Sequence, residues 1–442
     1  MKRLAARLAL HGGLWLLACL VLFALLRRPV FAVTSILIFQ GVLILVSNAK
    51  ERVLHEPLVF ADLGLYTQAL RHPRLYLPYF GLGRALLLIV AGGALVAAGW
   101  KFDRPADLGL AAWAGLFTGA VALVLAGTAL ARDALTLDPG KDVAALGLLP
   151  SLWLYWLADD QPLPPVEGPF IKARLEIDVP VVVVQSESFF DARRLGNVAK
   201  DVLASYDARA AEGESGRLGV PVRGAYTQRT EFAFLSGIDP RALGVHRFNP
   251  YRRFARSGVA TIASALKARG YRTLCLHPYP ASFFDRDRVF PEIGFDEFVD
   301  LKSFENAERQ GPYVADSEVT RRILAALATP GRPLFVFAIT MENHGPYHLE
   351  GSDELEVYLR HLRNADHMIG EICGALKDGV FCIYGDHVPG LPQVYAARGY
   401  DDSRTDYLIW SNGASGGRRI DRDAHELAGR LLEIASGKKG DA

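Results

Sequence analysis

Apolar residues are spread unevenly along this chain, and that distribution limits the possible folds more than any motif does. Five apolar stretches, at about 8–26, 30–47, 85–100, 108–130 and 143–157, crowd the first part of the 442 residues. A membrane-crossing helix needs roughly 20 largely apolar residues, within a range of about 17–25. The second and fourth stretches meet that length, whereas the third and fifth need flanking residues to complete a span. A signal peptide has a single short apolar region, so it explains the first stretch and none of the others. Residues 1–158 are therefore read as a transmembrane domain of five helices. A linker at 159–178 carrying "QPLPPVEGP" follows, and then a domain of ordinary globular composition at 179–442.

Lys and Arg near the span ends set orientation. Lys2, Arg3 and Arg7 precede the first span, Lys50, Arg52, Arg71, Arg74 and Arg84 follow the second, and Arg132 and Lys141 follow the fourth. Arg27, Arg28, Lys101 and Arg104 fall on the opposite side. The excess predicts a cytoplasmic amino terminus in a multi-pass inner (cytoplasmic) membrane protein. An odd number of spans then places 179–442 outside the cytoplasm, in the periplasm. The amphipathic, aromatic-rich connection at about 52–81 reads as an interfacial helix. Overall charge nearly cancels, 49 Lys+Arg against 48 Asp+Glu, so no basic field argues for nucleic acid as a partner. Cys19, Cys275, Cys373 and Cys382 form no CxxC spacing and read as buried thiols. A Cys275–Cys382 or Cys373–Cys382 bridge is the alternative.

From Val179 onward, short β-branched runs alternate with helical periodicity. Strands are predicted at 179–185, 219–226, 271–277, 333–340, 379–385 and 405–410, with helices at 192–211, 259–269, 316–328, 354–376 and 422–436. Continuously apolar strands suggest burial on both faces, and the alternation predicts a mainly parallel α/β sheet covered by helices. Ligands in such folds sit beyond the carboxyl ends of the strands. The first five predicted strands end at or near Glu187, Thr227, His277, His344 and Asp386–His387.

That edge has the chemistry of a metal site. Glu187 closes a buried strand, where an unpaired carboxylate is costly. The alternative is a cap or ion-pair partner of the next helix. "YGDH" supplies Asp386 and His387, with Gly385 allowing close approach. In "TQRTEF", either Thr227 or Thr230 could provide a hydroxyl that a divalent cation activates for attack, while Thr230 equally suits a helix N-cap. Oxygen ligands with one imidazole suit Mn²⁺ or Mg²⁺, with Zn²⁺ also possible. His277, Arg286 and His344 suit phosphate recognition and stabilisation of transition-state charge. A surface ion pair with Asp285 or Asp287 is the alternative for Arg286. His348, His361 and His367 read as solvent-exposed.

In order along the chain, "QSESF", "TQRTEFAFLSG", "GYRTLCLHPYPASFFDRDRVFPEIGFDEF", "NHGPY" and "YGDH" resemble the lipoteichoic acid synthase branch of the sulfatase/alkaline phosphatase superfamily. The resemblance extends to the five spans and the α/β domain after them. It implies that Glu187, Thr227, Asp386 and His387 hold one metal, usually manganese. It also implies that Thr227, four residues before the Glu231 of "TEF", is the nucleophile, and that His277, Arg286 and His344 contact substrate, His344 also acting in catalysis. Sulfatases of the formylglycine type need Cys or Ser in a C/S-x-P-x-R segment. Here the segment reads "YTQRT", so sulfate ester hydrolysis is not expected. The expected reaction moves phosphoglycerol from phosphatidylglycerol, through a phosphothreonine-type ester, to a glycan or polyol-phosphate acceptor. Alternatives are a phosphoethanolamine transferase, a phosphodiesterase of the same superfamily, or a catalytically silent membrane protein on the same fold.

Overall fold

A computed structural model describes residues 2–65, 71–72, 81–171, 177–351 and 353–437. The chain divides into two compact units, Met1–Pro162 and Leu163–Ala442.

The first unit contains α1 (Lys2–Leu26), α2 (Pro29–Leu54), α3 (Leu82–Phe102), α4 (Leu110–Ala131), α5 (Pro139–Leu146) and α6 (Leu148–Asp159). Among the described residues three helices, α1, α2 and α4, are long and apolar enough to cross a membrane, and α3 has a shorter apolar portion from Leu86 to Phe102. The stretch at 143–157, expected to be one short span, is divided into α5 and α6. Gly147 lies between them with φ of 89°, a conformation that side-chain-bearing residues rarely adopt. Glycines let α1 and α4 approach closely. A Cβ at Gly127 would lie 2.8 Å from Leu10, and one at Gly13 would lie 2.8 Å from Val124. Small residues at such contacts are the usual means of packing helices in a bilayer. Of the expected interfacial segment, the described part holds the end of α2 and a single turn, Phe60–Leu63. Lys50 forms 2.7 Å ion pairs with Glu56 and Asp62 beside it. Residues 66–70 and 73–80 of that expectation lie outside the described residues.

In the second unit the strands are β1 (Val181–Ser186), β2 (Glu214–Gly219), β3 (Arg272–Leu276), β4 (Glu297–Val299), β5 (Arg309–Gln310), β6 (Tyr313–Val314), β7 (Leu334–Ile339), β8 (Val380–Gly385), β9 (Thr405–Ser411), β10 (Arg418–Arg419) and β11 (Arg422–Asp423). Nine form one sheet in the order β10-β2-β9-β8-β1-β7-β3-β4, with β11 also paired to β2. β8, β1, β7, β3 and β4 run parallel, and β9 alone opposes its neighbours β8 and β2. The helices are α7 (Thr227–Ser236), α8 (Ile262–Ala268), α9 (Arg286–Glu292), α10 (Asp316–Leu327), α11 (Glu354–Ala375) and α12 (Ala424–Ala435), with shorter ones between. Val181 and Val183 of β1 join a core with α7, α8, α9 and α12, while Val182 and Val184 join another with α10 and α11. Alternate residues of one strand thus feed two cores, and for that reason the strand reads as continuously apolar.

Two expected elements are corrected. The strand expected at 219–226 is displaced to β2, and the segment after Gly219 is irregular, because Pro221 has no N–H to donate and Gly224 and Tyr226 have φ of 74° and 63°. Thr227 consequently opens a helix rather than closing a strand. The helix expected at 192–211 breaks into 3₁₀ turns at Ala192–Leu195 and Lys200–Leu203 and an α-helix at Ala204–Ala210. Gly196 and Asn197, both at positive φ, interrupt it. All four cysteines are free and buried.

Candidate active site

β1 and β8 are adjacent, with Ser186 opposite Gly385. Their polar ends therefore emerge side by side. A Cβ at Gly385 would overlap the Phe189 carbonyl oxygen, so only glycine lets the two strand ends fold against each other here. Ser188 takes φ of 55°, and its N–H donates to Asp386 Oδ1 at 2.9 Å. The His387 N–H donates to the same oxygen at 3.0 Å. Strained backbone of this kind persists where surrounding contacts enforce it.

Glu187, Asp386 and His387 are thereby brought together, each offering a ligand atom within 4.8 Å of the others. His387 Nε2 lies 3.3 Å from both Glu187 Oε1 and Asp386 Oδ2. Its Nδ1 faces the Val388 carbonyl at 3.1 Å, an arrangement that leaves Nε2 as the ligand nitrogen. Asp386 Oδ2 is buried without a hydrogen-bond partner. Burial, and then the neighbouring Asp386, push Glu187 up to about 8. Two buried carboxylates, one with an oxygen lacking a hydrogen bond, and an imidazole whose Nε2 faces both fit a hard divalent cation.

Thr227 is the first residue of α7, after Tyr226 in the left-handed conformation, and it is partly exposed. Thr230, fully buried, donates its hydroxyl to the Asp386 carbonyl at 2.7 Å. Its hydroxyl is thus engaged in tethering α7 to that strand end.

His277 and Arg286 also meet. Arg286 Nη1 lies 3.2 Å from His277 Nε2, and His277 Nδ1 faces the Ile339 carbonyl at 3.2 Å. Arg286 pairs with neither Asp285 nor Asp287. It is buried and makes two hydrogen bonds to Glu231, at 3.1 and 2.8 Å. Burial opposes its charge, but Glu231 outweighs burial and raises its pKa. His277 is pushed well below the usual imidazole range, by burial and then by Arg286. His344, half-buried, has Nδ1 at 2.6 Å from the Gly345 carbonyl and 3.2 Å from the Tyr313 hydroxyl. Burial lowers its pKa, while the Gly345 carbonyl and then Asp386 oppose that shift.

Glu231 was marked in the sequence only as a landmark. Besides Arg286 it accepts from the Tyr251 hydroxyl, and from Gln185 at 3.4 Å. Its signal was a lone carboxylate in the apolar run "EFAFL". His361, read as exposed, is fully buried between Glu342 and Glu350, at 2.9 and 3.1 Å. A polar helix face had masked this inward position. His348 and His367 are exposed.

A protein-family model described as Sulfatase matches residues 180–435, more than half of the chain. The chain belongs to the sulfatase family. Within it, this sulfatase-family chain is 29% identical to the capsular polysaccharide biosynthesis protein RkpI of Rhizobium meliloti, over 94% of this chain and 84% of the relative. It is also 27% identical to lipoteichoic acid synthase 1 of Bacillus subtilis over 27% of this chain and 21% of that one, so the expected likeness to that branch holds. Among solved structures, the Streptococcus pyogenes phosphoglycerol transferase GacH, in complex with sn-glycerol-1-phosphate, is 26% identical with a TM-score of 0.51, covering 59% of this chain and 75% of GacH. The lipooligosaccharide phosphoethanolamine transferase A (EptA) of Neisseria meningitidis covers 98% of this chain and 95% of its own at a TM-score of 0.57 and 14% identity, a likeness of fold.

Proposed function

We propose that this protein is a membrane-bound transferase that moves phosphoglycerol from phosphatidylglycerol, through an ester on Thr227, to a glycan or polyol-phosphate acceptor outside the cytoplasm. One observation carries the reading. The Thr230–Asp386 hydrogen bond fixes the start of α7 against the strand end bearing Asp386 and His387. In support, GacH is named a phosphoglycerol transferase, and the name of RkpI supports a glycan acceptor.

Glu187, Asp386, His387 and the Thr227 hydroxyl would hold the cation, Mn²⁺ first and Mg²⁺ or Zn²⁺ next. Such an ion lowers the pKa of a bound hydroxyl and offsets phosphoryl charge. The chain's own groups do the rest. Thr227 Oγ attacks phosphorus, the bond to the glyceride oxygen breaks, and diacylglycerol leaves with a proton. Amide groups at the start of α7 favour the anionic phosphoryl group. His344, whose pKa burial lowers, is suited to accept the threonine proton and pass it to the leaving oxygen. His277 and Arg286 orient phosphate or glycerol oxygens. An acceptor hydroxyl then attacks phosphorus, and Thr227 regains its proton.

Full-length Thr227→Ala protein, in phosphatidylglycerol vesicles with Mn²⁺, should release diacylglycerol only at background rate. Turnover at the wild-type rate would refute the scheme. EptA shares the fold and acts with phosphoethanolamine by name, so phosphatidylethanolamine supplied in parallel separates the two donors.

A further inference from the structure

Two fully or nearly fully buried side-chain amides, Gln228 and Asn343, lack hydrogen-bond partners at both ends. Gln228 is the one that adjoins Thr227. It is the second residue of α7, 0 % exposed. Orphaned amide atoms inside a protein are costly, and each calls for an explanation. Asp386 Oδ2, in the cluster suited to a cation, is orphaned in the same way.

Helix geometry places this amide beside Glu231. Residues three apart are neighbours on a helix surface, and side chains lean toward its amino terminus. Three residues after Gln228 stands Glu231, which holds Arg286 and, through it, His277. Gln228 therefore sits about one turn before Glu231 on the same side of α7, next in the chain to Thr227.

A carboxamide offers two N–H donors and one acceptor. A phosphoryl oxygen only accepts, so it could satisfy Nε2 and would leave Oε1 orphaned. An ammonium group only donates, with the opposite result. A hydroxyl donates and accepts, and it can satisfy both ends. We infer that Gln228 reads the hydroxyls of the donor head group and makes the site selective for a polyol phosphoester over one ending in an ammonium or a plain alkyl chain. This inference rests on the phosphoglycerol reading above.

The experiment uses full-length wild-type, Gln228→Met and Gln228→Glu proteins with Mn²⁺. The donors are vesicles of phosphatidylglycerol, phosphatidylpropanol, which lacks the head-group hydroxyls, or phosphatidylethanolamine. The readouts are kcat/KM for diacylglycerol release and Tm. Wild type should favour phosphatidylglycerol over phosphatidylpropanol by about 100-fold or more, as a site built around a hydroxyl rejects its deoxy analogue. Met should narrow that ratio to about tenfold or less without lowering Tm. Glu keeps the shape but has no N–H, so it should narrow the ratio too, and it supplies the measurement if the Met variant fails to fold. A wild-type ratio retained in both variants overturns the inference alone. A wild-type enzyme that uses phosphatidylethanolamine and not phosphatidylglycerol overturns the phosphoglycerol reading first, and the inference with it.

Discussion

Both ring nitrogens of His277 have fixed partners, a carbonyl on Nδ1 and a guanidinium on Nε2. That pattern fits the neutral ring with its proton on Nδ1. Its folded pKa lies well below the ordinary 6.5. The associated stability is therefore complete above about pH 6.5 and is lost as pH falls toward the folded value, with a slope of up to about 1.4 kcal/mol per pH unit. His277→Gln should flatten the fall in Tm between pH 7 and pH 5, and an unchanged slope would count against the assignment. Arg286 carries a different risk, since its counter-charge is Glu231 alone among carboxylates bonded to it. Glu231→Gln should cost about 3–5 kcal/mol, because it strands a buried cation. Denaturant titration beside Asp285→Asn, expected to be near neutral, checks this.

Elements with one dominant physical cause were legible in the sequence. β1, β3, β7 and β8 are buried on both faces, so their apolar runs announced them, and the polar residues just beyond marked the site's edge. β2 was misplaced because "GVPVRGAY" is β-branched at alternate positions, yet Pro221 and Gly224 forbid the ladder. The Glu231–Arg286 pair was illegible for another reason. Its members lie 55 residues apart on α7 and α9, and nothing local reveals that burial unites them. Gly385 was legible as a point of close approach, but its contact is with the chain's own Phe189 carbonyl. Gly385→Ala should shift the end of β8, destabilise the protein by about 1–3 kcal/mol, and weaken Mn²⁺ binding by calorimetry. A variant with wild-type Mn²⁺ affinity would show that the strand-end packing does not set the site.

At the scale of the whole molecule, an apolar helical unit and a sulfatase-family unit share one chain. The positive charges flanking the spans predict that the second unit faces away from the cytoplasm. The four buried, unpaired thiols make that question easy to pose. A maleimide reagent meets little background in the native fold, so no natural cysteine has to be removed first. His367 is exposed on α11, and a His367→Cys variant presents a single accessible sulfhydryl. With a membrane-impermeant maleimide, labelling in cells whose outer barrier alone has been opened is the expected result. Labelling only after the inner membrane is broken would reverse the orientation. Thiols hidden for the sake of packing thus leave the native chain ready to receive a reporter at any chosen surface position.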